Sequence, residues 1–170
     1  MKEMREVEDD ISIGIDVDGT LTEDKIDRDM FSLDSREVDK RMSKLSPKKG
    51  IDVLFDSGLN IHIITGRQET FRYATADWLD MYGIPYKDIT LFPDDFYRKN
   101  GYNVPVYASL KLDIHIRKNI HMSLDDNEHV VNTLNKFGIV TCKVDNDFRD
   151  AFERVLELNK RKLGNVRVKQ

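Results

Sequence analysis

Apolar residues fall along this chain in short bursts separated by polar, turn-rich stretches. ISIGID (11–16), NIHIIT (60–65), DITLF (88–92), NIHMSL (119–124) and IVTCKV (139–144) each read as a short buried strand. Between them the spacing becomes helical. SPKKGIDVLFDSG (46–58) has Ser46 as a candidate N-cap, Pro47 at the first helical position and Gly58 past the end, which predicts a helix. QETFRYATADWLDMY (68–82) places Phe71, Thr75, Trp78, Leu79 and Tyr82 at helical spacing and stops at Gly83. Further helices are predicted over 105–118, over 128–137 closed by Gly138, and over 148–158. Strand–helix alternation of this kind predicts an α/β fold: a Rossmann-like parallel sheet of about five strands with helices on both faces.

Such sheets bind ligands beyond the carboxyl ends of their strands. Reactive residues stand at three of those ends. Asp16-Val17-Asp18-Gly19-Thr20-Leu21-Thr22 follows the first strand, Thr65-Gly66-Arg67 the second, and Asp125-Asp126-Asn127 the fourth; Lys111 lies on the helix before that last strand. Each cluster has a plain reading: an Asx or calcium-type turn, a strand-to-helix turn, and an N-cap. Together they are four polar clusters brought to one edge of one sheet.

Carboxylates held this close repel unless a cation lies between them or one keeps a proton. An oxygen-only set suits a hard cation, Mg²⁺ rather than Zn²⁺, and one Cys with four scattered His makes no zinc pattern. A Lys ammonium, a Thr hydroxyl and the N–H of Gly66 entering a helix suit a phosphoryl oxygen. Phosphoryl transfer to a carboxylate uses both halves: one Asp attacks phosphorus, a second protonates the leaving oxygen, and the cation with Lys neutralises the equatorial oxygens.

Composition narrows the class. The 170 residues carry 27 Lys+Arg against 31 Asp+Glu, so the chain is not a strongly basic nucleic-acid-coating protein. No apolar run approaches a membrane span, and MKEMREVEDD is too polar for a signal peptide. The single Cys142 cannot close an internal disulfide, so the cytoplasm is the expected compartment. The length predicts one domain over 1–170, with a core about 11–158, a short insert about 22–45 and a basic tail over 159–170.

IGIDVDGTLT, IITGR, a helical Lys and MSLDDN, in that order, resemble the four motifs of the haloacid-dehalogenase-like (HAD) hydrolases over roughly residues 11 to 145. The resemblance implies that Asp16 is the nucleophile that forms an aspartyl-phosphate and that Asp18 is the general acid/base. It implies that Thr65 and Gly66 bind the phosphoryl group and that Lys111 pairs with it and with Asp16. The implied Mg²⁺ set is Asp16, the backbone carbonyl of Asp18, Asp125, and Asp126 through water or hydrogen bonds. Arg117 and Lys118 lie on the same predicted helix, and Lys118 is closer to the strand; Lys111 is preferred because it sits near the helix start. An acid at position 18 implies a phosphatase or phosphomutase rather than a dehalogenase. The insert is too short for a cap domain, so the expectation is a phosphatase with an open site and a minimal cap.

An open site suits a large substrate. FSLDSREVDKRMSKLSPKK (31–49) places Val38, Met42 and Leu45 at rough helical spacing, which predicts a short helix presenting Arg36, Lys40, Arg41 and Lys44 outward over the site. With Lys48 and Lys49 the segment holds six bases. The motif spacing, YATADWLDMYGIPY and the short insert also resemble the 3′-phosphatase domain of phage-type polynucleotide kinase/phosphatases. The expected partner is therefore a phosphorylated substrate, a nucleotide or nucleic-acid end, with Thr20, Arg67, Lys40, Arg41 and Lys44 as candidate substrate contacts. The alternatives are a small metabolite phosphatase, a phosphotransferase and an inactive HAD-fold binding module.

Overall fold

The structure, a computed structural model, describes residues 11–24 and 35–167. Five strands form one parallel sheet: β1 (Ser12–Ile15), β2 (Asn60–Gln68), β3 (Asp88–Phe92), β4 (Met122–Asp125) and β5 (Val140–Lys143), in the order β3-β2-β1-β4-β5. Among the described residues six α-helices accompany it: α1 (Ser35–Met42), α2 (Arg72–Met81), α3 (Phe96–Asn100), α4 (Val104–Arg117), α5 (Glu128–Lys136) and α6 (Phe148–Arg167).

The strands alternate their side chains between two cores, as the pleat requires. Ile13, Ile15, Ile61, Ile63, Met122 and Leu124 face α2 and α6, burying Trp78, Leu79, Phe148, Phe152 and Val155. On the opposite face Ile64 joins Phe92, Phe96 and Ile114, and α4 packs beside α5 over Ala108, Val130 and Leu134. All five predicted strands are present, and the helices lie on both faces.

Several segments differ from the sequence expectation. No long helix forms over 46–58. Pro47 makes an antiparallel bridge with Thr22, Gly50 takes a left-handed φ of 88°, and only a 3-10 turn remains at Ile51–Leu54. The second strand does not stop at residue 65. Ile15 pairs with Ile63, so the last five residues of β2 overshoot β1, and β3 pairs again at Gln68 after an irregularity. The chain turns helical only at Glu69–Phe71. Residues 96–100 form a helix that the pattern did not indicate. The last helix continues to Arg167, through most of the stretch expected as a tail. Within the expected insert, residues 25–34 lie outside the described residues.

Candidate active site

The DVDGT turn is built by backbone geometry. The amides of Thr20, Leu21 and Thr22 all donate to the Val17 carbonyl at 2.8–3.1 Å, and Gly19 supplies the left-handed φ of 80° that such a tight wrap requires. The Thr22 hydroxyl accepts from the Gly19 amide at 3.1 Å and donates to the Asp24 carbonyl at 2.6 Å. Lys48 clamps the turn from outside. Its buried ammonium donates to the carbonyls of Gly19 and Asp145, both at 2.7 Å, tying the loop after β1 to the loop after β5.

Asp16 follows β1 and Asp125 ends β4, on adjacent strands, so their side chains emerge together at the sheet edge. Lys111, 1% exposed, reaches them from α4: its Nζ lies 2.8 Å from Asp16 Oδ1 and 2.5 Å from Asp125 Oδ2. Lys118 pairs instead with Asp88 at 2.9 Å, away from this cluster, and Arg117 pairs with Asp113. Asp16, Asp125 and Asp126 each bring one carboxylate oxygen within 4.8 Å of the others. Burial pushes the Asp16 carboxyl up to about 8; Lys111 opposes this, and Asp125, Asp126 and Asp18 add to it. Burial raises Asp125 as well, against the pull of Lys111. Burial would push Lys111 down, but Asp125 and Asp16 outweigh it and hold the ammonium well above its ordinary range. Asp16 and Asp125 share one lysine, Asp126 converges on them, and the donor set is oxygen alone. The residues fit a hard divalent cation of the Mg²⁺ type.

Asp18 points elsewhere. Its two oxygens accept a forked pair from Arg67, Nη2 at 2.6 Å and Nε at 2.8 Å. Arg67 itself is buried in β2 and also donates to Thr75 Oγ1 at 3.1 Å and meets Met42 Sδ at 3.6 Å. It holds a site carboxylate rather than standing open to solvent. Thr20 is likewise fully buried, its hydroxyl 3.5 Å from Asp16 Oδ2. Thr65 is buried in β2 and accepts from the Arg67 amide at 3.3 Å. Gly66 does not enter a helix, contrary to expectation; it lies within β2 because that strand overshoots its neighbour. A Cβ there would fall 2.4 Å from the Tyr107 ring, so only glycine fits. The Asp125-Asp126-Asn127 cluster contains the expected N-cap and also contributes two carboxylates to the acidic group. Asn127 caps α5 by accepting from His129 and Val130, while Asp125 stays with Lys111 and accepts from the Asn127 amide.

The basic segment divides. Arg36, Lys40, Arg41 and Lys44 are exposed on or just after α1, while Val38 and Met42 are buried against Phe71 and Ala74. Arg41 pairs with Glu37 at 3.3 Å. Of the other two bases counted in the segment, Lys48 is consumed inside the fold, while Lys49 stays exposed and pairs with Asp147 at 2.9 Å. Lys48 carried no signal distinguishing it from its neighbours.

Residues 11–148 match the family described as the polynucleotide kinase PNKP phosphatase domain. The chain belongs to this family. It thereby stands among the phosphatases of the HAD superfamily, in accord with the parallel sheet and its motif-bearing edge. No curated protein sequence matches it. Among solved structures, a chain of the Pnkp1/Rnl/Hen1 RNA repair complex aligns at TM-score 0.55 and 18% identity, covering 80% of this chain and 42% of that one. A second structure of the Pnkp1/Rnl/Hen1 complex aligns at 0.56 and 18%, covering 81% and 47%. This chain therefore spans less than half the length of either. A predicted HAD-like family hydrolase from Porphyromonas gingivalis aligns at 0.51 and 13%, covering 86% and 97%. These similarities establish the shared fold. Among the described residues no helix is long and apolar enough to cross a membrane.

Proposed function

We propose that the protein is a Mg²⁺-dependent phosphomonoesterase that works through an aspartyl-phosphate on Asp16 and acts on a nucleotide or polynucleotide 3′-phosphate. The observation that carries the reading is Lys111 lodged between Asp16 and Asp125 within a convergent carboxylate cluster at the sheet edge. Membership of the PNKP phosphatase family and the exposed bases of α1 support the substrate class.

Asp16 supplies the attacking oxygen: an O–P bond forms and the ester P–O bond breaks. Lys111 holds Asp16 in place and presents its ammonium to the equatorial oxygens. Asp18, 20% exposed and oriented by Arg67, takes up a proton from solvent, giving up one arm of the fork, and passes it to the leaving alkoxide. It then takes a proton from water, whose oxygen attacks the aspartyl-phosphate, releasing inorganic phosphate and restoring Asp16. Asp16, Asp125, Asp126 and the Asp18 carbonyl would hold Mg²⁺, which would supply neutralisation of the phosphoryl charge.

The test is a phosphate-release screen over 3′-phosphorylated oligonucleotides, 3′- and 5′-mononucleotides and sugar phosphates, with Mg²⁺ or with chelator. We expect the 3′-phosphorylated substrates to lead, chelator to abolish release, and Asp16→Asn to fold without turnover. Sustained turnover by Asp16→Asn, or full activity in excess chelator, would overturn the mechanism. Sugar phosphates outcompeting every nucleotide would overturn the substrate.

A further inference from the structure

One wall of the site is aromatic. α3 ends at Gly101, whose φ of 58° reverses the chain, and Asn103 caps α4 by accepting from Val106 at 3.2 Å. That tight return brings three tyrosines together. Tyr97 and Tyr102 lie 6.2 Å apart with planes 9° from parallel, and Tyr102 and Tyr107 lie 6.3 Å apart at 33°. The phenylalanines of the same region take the buried side: Phe92 packs on Phe96 at 4.7 Å and on Tyr107 at 5.0 Å. The tyrosines, apolar in body and polar at the tip, form the outer side.

The wall starts at the phosphate end of the site. Tyr107 is set against Gly66, and the Lys111 ammonium stands 5.1 Å from its ring centroid. Tyr97 donates its hydroxyl to the Gly66 carbonyl at 2.6 Å. One ring further out, Tyr102 is 50% exposed. A layered group of rings thus runs from the Lys111–Asp16 pair toward solvent, tied to β2 through the Tyr97 hydroxyl and carried on α4 by Tyr107. Such a group suits a flat π system attached close to the phosphate. Stacking on tyrosine tolerates any base, because every base has a π-face.

We propose that Tyr97, Tyr102 and Tyr107 form the platform on which the nucleobase of the phosphorylated nucleotide stacks, with Tyr102 the contacting ring. This rests on the nucleotide reading above and adds the residues that grip the nucleoside. The platform accounts for preference for a nucleoside over a sugar, not for one base over another.

The experiment compares 3′-phosphorylated oligonucleotides that carry either a base or an abasic residue at the 3′ end. In the wild type we expect KM to rise roughly 5- to 150-fold when the base is removed, the range of one base–aromatic stack. Tyr102→Ala brings that ratio close to one, whereas Tyr102→Phe, which keeps the ring, preserves it. A binding readout runs in parallel on the Asp16→Asn protein. A terminal 2-aminopurine is quenched on binding, and the added Tyr102→Ala change removes the quench. If base-containing and abasic oligonucleotides are turned over with equal KM by the wild type, the platform is wrong while the nucleotide reading stands. Retention of both the ratio and the quench in Tyr102→Ala likewise overturns the platform and leaves the nucleotide reading intact. If no nucleotide is turned over at all, the functional reading falls and the platform falls with it.

Discussion

At the scale of residues, the site is a set of buried carboxylates gathered around one lysine. Asp16 is held up to about 8 because it is buried among carboxylates, and Lys111 answers only part of that charge. Arg67 settles the remaining acid differently. Its planar fork matches both oxygens of Asp18, a geometry an ammonium cannot reproduce. Arg67→Lys keeps the charge and loses the fork. We expect kcat to fall about 100-fold with KM for a small phosphate ester nearly unchanged, since misplacement of an acid by about 1 Å is felt in the chemical step. Arg67→Ala also removes bonds to Thr75 and leaves Asp18 without its fork. Because Asp18 is part exposed, we expect a loss of about 2–3 kcal/mol, below the range for a fully buried pair, measured by urea unfolding. An unchanged kcat in Arg67→Lys would reduce Arg67 to a structural tie.

At the scale of elements, the placement of Lys111 depends on how α4 seats on the sheet. His115, one turn along, decides this. Its Nδ1 lies 2.8 Å from the Lys111 carbonyl, which can only accept, so Nδ1 carries the proton; Nε2 then accepts from the Ser123 hydroxyl on β4 at 2.9 Å. Gly14 on β1 leaves room for the ring, since a Cβ there would fall 2.4 Å from Nε2. Burial first, and then the Lys111 charge, push His115 down to about 4 from an ordinary 6.5. The folded value is depressed, so this contribution is present above pH 6.5 and is lost as pH falls through about 4. Relative to His115→Gln, which cannot titrate, the wild type should lose on the order of 3 kcal/mol across that window. Urea unfolding of both proteins at pH 7, 5.5 and 4 measures the difference. Parallel slopes would mean that the imidazole does not charge on unfolding.

At the scale of the whole molecule, the proposed substrate poses a question of charge, since a slightly acidic protein would have to attract a polyanion. The chain carries a net charge of -4, and its site is itself acidic. The exposed bases of α1 provide a local field of the opposite sign, and α1 is joined to the site through Met42, which touches Arg67. Reversing Lys40, Arg41 and Lys44 to Glu should raise KM for a 3′-phosphorylated oligonucleotide and flatten its dependence on salt. Every phosphate no longer neutralised by a base lowers the slope of log K against log salt by about 0.7 for a single strand. Arg41 is already paired with Glu37, so its share is the smallest. A small uncharged-alcohol ester, which does not reach α1, should respond little. An unchanged salt slope would make this face ordinary solvated surface.

The five strands, the parallel sheet and the convergence of the motifs on one edge were legible in the chain, because a two-residue or 3.6-residue apolar period is local and the sheet rule then dictates the edge; the helix expected over 46–58 and the unexpected one at Phe96–Asn100 were not. The residues of the acidic cluster were legible for the same reason: Asp16 and Asp125 end adjacent strands. What the chain could not disclose was which partner each polar group takes. Lys48 reads as one more surface base, yet its ammonium is buried on two carbonyls 29 and 97 positions away. Arg67 reads as a substrate contact, yet it is spent on Asp18, 49 positions back. Lys111 and Lys118 share one helix, and only the seating of α4 separates the lysine between Asp16 and Asp125 from the one on Asp88. The tyrosine wall needs a left-handed glycine, a helix cap and the overshoot of β2 at once. Periodicity is a property of neighbours along the chain. Pairing of buried charges and rings is a property of neighbours in space, and only the packed sheet and its helices decide it.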